Sequence, residues 1–322
     1  MTARPLASLS LDLDNLWSYL KVSGDPSWSS RPSYLDAFTP VMLEFLERRG
    51  LRITCFIVGA DAAIAANGPS LRSIVSAGHE VGNHSFEHEP WLRRYSRDLL
   101  GREIQSASDA IADATGRRPA GFRGPGFSWS PTLLELLSEQ GYDYDASTLP
   151  SYLGPIARAF YFSSAGKLSA EEREQRKDLF GHFSDGLRPV RPFYWQLSGG
   201  RQLLEIPVTT IPVFKTPFHF SYLAFLARYS EQLMFTYLRV ALGMCRLTGT
   251  EPSFLLHPLD LIGGDKAPQL AFFPGMEISS ARKAELLGKV LAMIERHFEM
   301  VPMGVHAAAC FGREGMGMRV AV

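Results

Sequence analysis

The sequence predicts an α/β protein whose strands form a parallel sheet or barrel. Three observations carry this. Residues 6–14 alternate, with Leu9, Leu11 and Leu13 on one face and Ser8, Ser10, Asp12 and Asp14 on the other, as in a strand. From residue 39 to residue 146, helical and strand patterns alternate with short connections, the rhythm of parallel strands joined by crossover helices. Polar groups also fall where successive strands run out: Asp12 and Asp14, His84 and His88, Arg123, and His257.

The polar face of the first strand reads either as a solvent-facing edge or as a wall of a site, with its two carboxylates roughly 7 Å apart by strand rise. Residues 17–33, rich in Ser, Pro and Trp, read as a loop. Thr39 and Pro40 then read as the cap and first-turn proline of a helix carrying Val41, Met42, Phe45 and Leu46, which Gly50 ends. A buried strand over 51–58 and a short helix over 70–77 lead to the histidine-bearing strand end. A long amphipathic helix spans 96–114, with Leu99, Leu100, Ile104, Ala107 and Ile111 on its buried stripe. A short strand over 120–123, a helix over 131–139 capped by Ser130, and a strand over 142–146 complete the run. The rhythm breaks over 148–200, resumes with a strand over 203–208, and gives way to a strongly apolar stretch over 218–246. A strand at 254–257, a helix over 279–298 and a strand over 299–302 follow, and the glycine-rich tail 311–322 is expected to be loosely ordered.

At 322 residues, with 46% apolar and 20% charged side chains, the chain can bury a substantial core. Lysine plus arginine (33) equals aspartate plus glutamate (33), which excludes a global charge suited to nucleic acid. Three widely spaced cysteines, Cys55, Cys245 and Cys310, make no disulfide framework and favour a reducing compartment. The first residues carry no apolar core of a secretion signal, and no apolar run is long enough to span a bilayer, so a cytoplasmic protein is expected.

His84 and His88, four residues apart, can turn both imidazoles to one ion. With an aspartate from the first strand they make a three-ligand site with open positions, suited to zinc or a similar divalent ion. Such an ion lowers the pKa of a bound water, a second carboxylate can take that proton, and a histidine opposite can protonate a leaving nitrogen. These are the parts of metal-assisted amide hydrolysis.

The ordered set Asp12-Leu13-Asp14, His84-Ser85-Phe86-Glu87-His88, Arg123-Gly124-Pro125-Gly126-Phe127 and Leu255-Leu256-His257 resembles the motifs of the polysaccharide deacetylase (NodB-homology) family, over residues 6–147 and 203–301. The resemblance implies a distorted (β/α) barrel of about seven parallel strands. It also implies removal of an N-acyl group, such as acetyl, from an amino sugar. Carried over by position, it implies Asp12 as catalytic base, Asp14, His84 and His88 as metal ligands and Arg123 as the residue orienting the base. It further implies Gly126 as a backbone oxyanion donor and His257 as general acid. Zinc is the ion these ligand types favour, with cobalt, nickel or iron as alternatives.

Two departures stand out. The family's adjacent aspartates are separated here by Leu13, a variant associated with cytoplasmic and lipid-linked-sugar branches. The aspartate-tryptophan pair that often braces the acid histidine is missing, leaving Asp260 or Asp145 as substitutes. His79, His182, His219, His297 and His306 match no motif, although His182 and His219 lie in inserted segments that can reach substrate.

The expected organisation is therefore one barrel over 1–310 with insertions at 148–200 and 212–250 over its mouth, then a tail at 311–322. Tyr152, Phe160, Tyr161, Phe162, Phe193, Tyr194 and Trp195 in the first insertion suit stacking on sugar faces. The stretch 218–246 reads either as helices closing the barrel or as a surface for peripheral membrane contact that admits a lipid-linked sugar. A nucleotide-linked sugar stays open as substrate. A cyclic amide or ureide hydrolase of the allantoinase type, and a non-catalytic carbohydrate-binding barrel, are the competing readings.

Overall fold

The computed structural model describes residues 4–154, 183–311 and 318–322. Strands β1 (Leu6–Asp12), β2 (Thr54–Ile57), β3 (Glu80–Asn83), β4 (Gly121–Phe122), β5 (Tyr144–Asp145), β6 (Phe193–Gln196), β7 (Gln202–Glu205) and β8 (Ser253–Leu256) form one sheet with β9 (Glu299–Val301) and β10 (Arg319–Ala321). Its order is β10-β6-β7-β5-β4-β3-β2-β1-β8, with β9 also paired to β1. The run β7-β5-β4-β3-β2-β1-β8 is seven parallel strands, matching the expected number. No pairing joins β8 back to the far edge among the described residues, so this is a strongly one-directional sheet in the manner of a distorted barrel, without a closing ladder.

β1 is a central strand between β2 and β8, and both of its faces are buried. Leu9, Leu11 and Leu13 enter the main core with helix α2 (Leu35–Glu47), while Ser8, Ser10 and Asp12 form a buried polar row on the other face. The edge-strand reading is therefore excluded. Each polar side chain has a defined partner: Ser8 Oγ lies 3.0 Å from Nδ1 of His306, and Ser10 Oγ accepts from Arg123 at 2.8 Å.

Several elements differ from expectation. The predicted loop over 17–33 opens with helix α1 (Leu16–Ser23), capped by the Asn15 side chain and ended by left-handed Gly24. Pro40 lies inside α2 instead of opening it. Burial of Tyr34, Leu35 and Phe38 extends that helix one turn upstream, which outweighs the hydrogen bond that proline cannot donate. Helices α3 (Gly59–Ala62), α4 (Gly68–Ser76), α5 (Arg97–Thr115) and α6 (Pro131–Glu139) follow, the last with the predicted Ser130 cap.

The segment 148–200 does not lie wholly over the mouth, because its residues 193–196 are β6, antiparallel to β7 at the sheet edge. Phe193 and Trp195 are buried there in a core cluster with Leu133 and Leu137 of α6, so they are not sugar-stacking surfaces. Phe160, Tyr161, Phe162 and His182 lie outside the described residues. The tail is not loose throughout, since Arg319–Ala321 pairs in parallel with β6. The stretch 218–246 forms α7 (Phe220–Ala227) and α8 (Glu231–Leu247), and helices α9 (Ser280–Glu295) and α10 (Met303–Phe311) finish the chain.

Asp145 and Glu205 face each other in register on β5 and β7, both fully buried. Glu205 accepts from the Thr148 backbone N–H at 3.0 Å and its hydroxyl at 2.6 Å, and from Trp195 Nε1 at 2.9 Å. Burial, and then the facing Glu205 carboxylate, push Asp145 well above the usual carboxylate range. The folded protein thus holds a proton that the unfolded chain releases near pH 4, so the pair costs stability as pH rises from about 4 toward the raised value. Asp145→Asn mimics the protonated side chain. It should match the wild-type unfolding free energy near pH 4 and exceed it progressively as pH rises toward 8, by up to about 1.4 kcal/mol per pH unit. Parallel curves for the two proteins across that range would refute the shared proton.

Candidate active site

The site is assembled at the C-terminal edge of the parallel run β4-β3-β2-β1-β8, from residues that follow β4, β3, β1 and β8, which is where side chains from different strands converge in such folds. β1 ends at Asp12, and the Asp14 N–H turns back to donate to the Asp12 carbonyl at 2.8 Å. With that tight turn, both carboxylates reach the same imidazole, that of His84. Leu13 between them fills the core at 1% exposure, and its N–H continues the ladder to Phe56. The intervening leucine is thus accommodated by the turn.

His84 follows β3 directly. Its Nδ1 lies 2.7 Å from the Arg123 carbonyl and donates to it, which leaves the Nε2 lone pair facing Asp14 Oδ1 at 3.4 Å and Asp12 Oδ2 at 3.9 Å. His88 reaches the same point with Nε2 2.9 Å from Asp14 Oδ1. One ligand atom each from Asp14, His84 and His88 lie within 4.8 Å of one another. Asp14 Oδ1 is buried and receives no hydrogen bond. A buried carboxylate oxygen with no donor, facing two imidazole nitrogens, is a donor set that a divalent cation fits. Burial works against the Asp14 charge, but the His88 and His84 imidazoles more than offset it and hold this carboxyl well below its ordinary value. Tyr34 steadies the turn by donating its hydroxyl to the Asp14 carbonyl at 2.5 Å.

Arg123 is completely buried, with Nη1 donating to Asp12 Oδ1 at 2.7 Å and to Ser10, and Nε donating to the Ala146 carbonyl at 3.0 Å. Gly126 lies in the turn after it at φ +59°, where a Cβ would stand 2.9 Å from Cβ of Pro90. His257 follows β8 and is partly exposed to a cavity of about 430 Å³. That cavity brings Asp12, Asp14, His84, His88, Gly126 and His257 together, and Arg123 meets it only through Asp12.

Of the two substitutes for the missing brace, Asp260 is the one beside His257. It accepts the His257 backbone N–H at 2.8 Å, while its carboxylate stays 3.9 Å from Nδ1 of the ring. Asp145 is excluded, because it receives the Ser147 hydroxyl at 2.5 Å and faces Glu205.

Residues outside the motifs complete the walls. His219, at the start of α7, is buried against Tyr222 with ring centroids 4.7 Å apart. Burial, then the nearby His257, push it down to about 3, so it stays neutral. Val22, Leu149, Leu153, Phe225, Phe273 and Pro274 make one wall apolar, drawing on both inserted segments. Tyr19 and Val22 lie on α1, a helix whose only signal was the Asn15 and Gly24 pair around it. Among the described residues, the other unmatched histidines are not part of the cavity lining: His79 accepts from the Ile53 N–H, His306 meets Ser8, and His297 lies beside Arg246.

The buried Arg123–Asp12 pair generates a prediction. Arg123→Met should lower unfolding free energy by about 3–5 kcal/mol, because it strands a buried charge. Asp12→Asn in the same chain should recover a large part of that loss. A double-mutant cycle by chemical denaturation checks this, and additive losses would overturn the direct pairing.

Residues 27–144 match the sequence model of the polysaccharide deacetylase family. The chain is 28% identical over 162 residues to the peptidoglycan deacetylase of Helicobacter pylori, covering 48% of this chain and 53% of that protein. It is 33% identical over 105 residues to a chitooligosaccharide deacetylase of Bradyrhizobium, covering 32% of this chain and 46% of that protein. It thus spans about half or less of the length of the curated relatives it matches first. A Mycobacterium smegmatis crystal structure likewise assigned to the polysaccharide deacetylases superposes with a TM-score of 0.59 at 18% identity, over 96% of this chain and 91% of that one, which shows the shared fold. With its ordered motifs gathered at one sheet edge, the chain is similar to the polysaccharide deacetylase (NodB-homology) family over residues 27–144 and shares the fold of one of its solved structures.

Proposed function

We propose that this protein is a metal-dependent hydrolase that removes an N-acyl group, acetyl first among them, from an amino sugar. The observation that carries this reading is the buried, donor-free Oδ1 of Asp14 facing Nε2 of His84 and His88. Zinc suits one carboxylate and two imidazoles, with cobalt, nickel or iron as alternatives. Asp14, His84 and His88 would hold the ion, which would supply Lewis-acid polarisation of the amide carbonyl and acidify the attacking water. Asp12 takes that water's proton through Oδ2, since Oδ1 is held by Arg123. The Gly126 N–H is the backbone donor assigned to the oxyanion, where the absence of a side chain lets substrate approach. His257 protonates the departing amine, with Asp260 fixing its backbone.

The apolar wall bears on the finer identity of the substrate. A free polysaccharide offers little to Leu149, Leu153, Phe225 and Phe273, whereas a sugar joined to a lipid or another apolar group fills that side. Helix α8 packs Met234, Leu238, Ala241 and Leu242 inward and presents Leu233, Val240 and Leu247 outward beside Arg239 and Arg246, a face suited to an anionic lipid surface. No helix among the described residues is long and apolar enough to cross a membrane. A small cyclic ureide would leave much of a 430 Å³ cavity to water, and a purely binding barrel has no use for a candidate acid and base lining one cavity with the triad, so both rank below the deacetylase.

Mass spectrometry of acetate and formate released from free, nucleotide-linked and lipid-linked N-acyl sugars is the direct test. No release from the whole panel would sink the proposal. His84→Ala and His88→Ala should each lose the bound ion by metal analysis. Asp12→Asn should retain the ion and lose about 10²–10⁴ in turnover. Phe225→Ser should lower activity on a lipid-linked substrate and spare a soluble analogue; equal losses on both would return the apolar wall to a packing role.

A further inference from the structure

The chain between the two histidines cannot hold its own shape. Ser85 and His88 sit at φ +61° and +53°, in the left-handed region that residues with a side chain seldom occupy. Something outside the loop has to fix it.

The neighbouring elements supply the restraint from two sides. Backbone N–H groups of Phe86 and Glu87, both between the histidines, donate to one oxygen of Glu103 at 2.9 and 3.1 Å. In the other direction, the carbonyls of Ser85 and Phe86 accept from the Gly59 and Ala60 N–H groups at the start of α3, at 2.8 and 3.0 Å. Gly59 allows this approach, because a Cβ there would lie 2.7 Å from the Phe86 ring and 2.6 Å from Ala107. Glu103 belongs to α5, which is anchored by buried Leu100, Ile104, Ala107 and Ile111, so its carboxylate is presented from a fixed platform.

We infer that Glu103 is a positioning residue for metal binding, fixing the curvature of the His84–His88 loop so that both Nε2 atoms face Asp14. The inference rests on the metal-site reading above. A carboxylate at 7% exposure that serves peptide N–H groups costs desolvation, and a core helix gains nothing from it that an apolar residue would not give. The gain falls on the loop. Partners one step behind a metal ligand typically contribute about 10–100-fold in affinity.

The test is zinc competition against a chromophoric chelator, using the full chain stripped of metal, with thermal unfolding of the metal-free protein alongside. Glu103→Ala should bind zinc about 10–100-fold more weakly while still folded. Glu103→Gln, whose amide oxygen still accepts both N–H groups, should stay within about threefold. Should Glu103→Ala fail to fold, Glu103→Asp, which withdraws the carboxylate by one methylene, replaces it with the same expectation. A folded Glu103→Ala with wild-type affinity overturns the inference, as does an equal loss in Glu103→Gln. A wild-type chain that binds no zinc overturns the metal-site reading itself, and is told apart because every variant then looks alike.

Discussion

Arg123 is buried at the centre of the sheet, and its charge has to be met from several elements at once. Ser10 and Asp12 of β1 accept from one end of the guanidinium, the Ala146 carbonyl beyond β5 accepts from Nε, and the plane lies 4.3 Å over the Phe56 ring on β2. Its own backbone extends the same control, since its N–H donates to Asn83 and its carbonyl accepts Nδ1–H of His84. One residue therefore neutralises Asp12 and fixes the tautomer of His84. A buried ion pair is a poor source of net stability, because desolvation offsets the attraction. Here it sets register instead, since β1, β2, β4 and β5 must end at matched heights for all these contacts to form.

The remaining buried polar groups follow the same pattern. Thr54 donates to Glu80 at 2.7 Å, and Glu80 in turn accepts the Gly304 N–H at 2.9 Å, which ties β2 and β3 to α10. Asp61 collects the Trp17 indole at 2.8 Å and the Asn15 amide at 2.7 Å, so α1 is docked by polar contacts as much as by packing. Lys21 and Arg31, on either side of the α1 turn, pair with Glu89 and Glu87 beside the histidine loop. The segment that follows the aspartates is thereby fastened to the segment that carries the histidines. A metal site made from two distant stretches of sequence depends on such ties.

These contacts also explain what was legible in the sequence. The parallel run and its helices could be read because their burial is periodic: α5 and α6 start where Ser96 and Ser130 cap them, and the leucines of β1 alternate. The meeting of Asp12, Asp14, His84, His88, Gly126 and His257 was readable because parallel strands bring their ends to one edge. Helix α1 was hidden, because Trp17, Tyr19 and Leu20 are held by tertiary partners with no visible stripe over only eight residues. Strand β6 was hidden as well, since its pairing with β7 is an edge ladder inside a stretch dominated by turn residues. The approach of both aspartates to His84 goes with a backbone turn at Asp12–Asp14, which residue spacing does not encode.

Two neighbouring imidazoles in the cavity lining raise a final point. His219 and His257 have ring centroids 6.4 Å apart, close enough that two positive charges would oppose each other. Burial decides between them: His219 is 5% exposed and held down to about 3, whereas the His257 side chain is 24% exposed. His219 therefore adds shape and a neutral surface, and His257 is the imidazole in contact with solvent. Both imidazoles line the same cavity as Asp12, Asp14, His84 and His88, so the proton-donating role proposed above falls to the one that solvent reaches, while the buried neighbour limits how much room a leaving group has beside it.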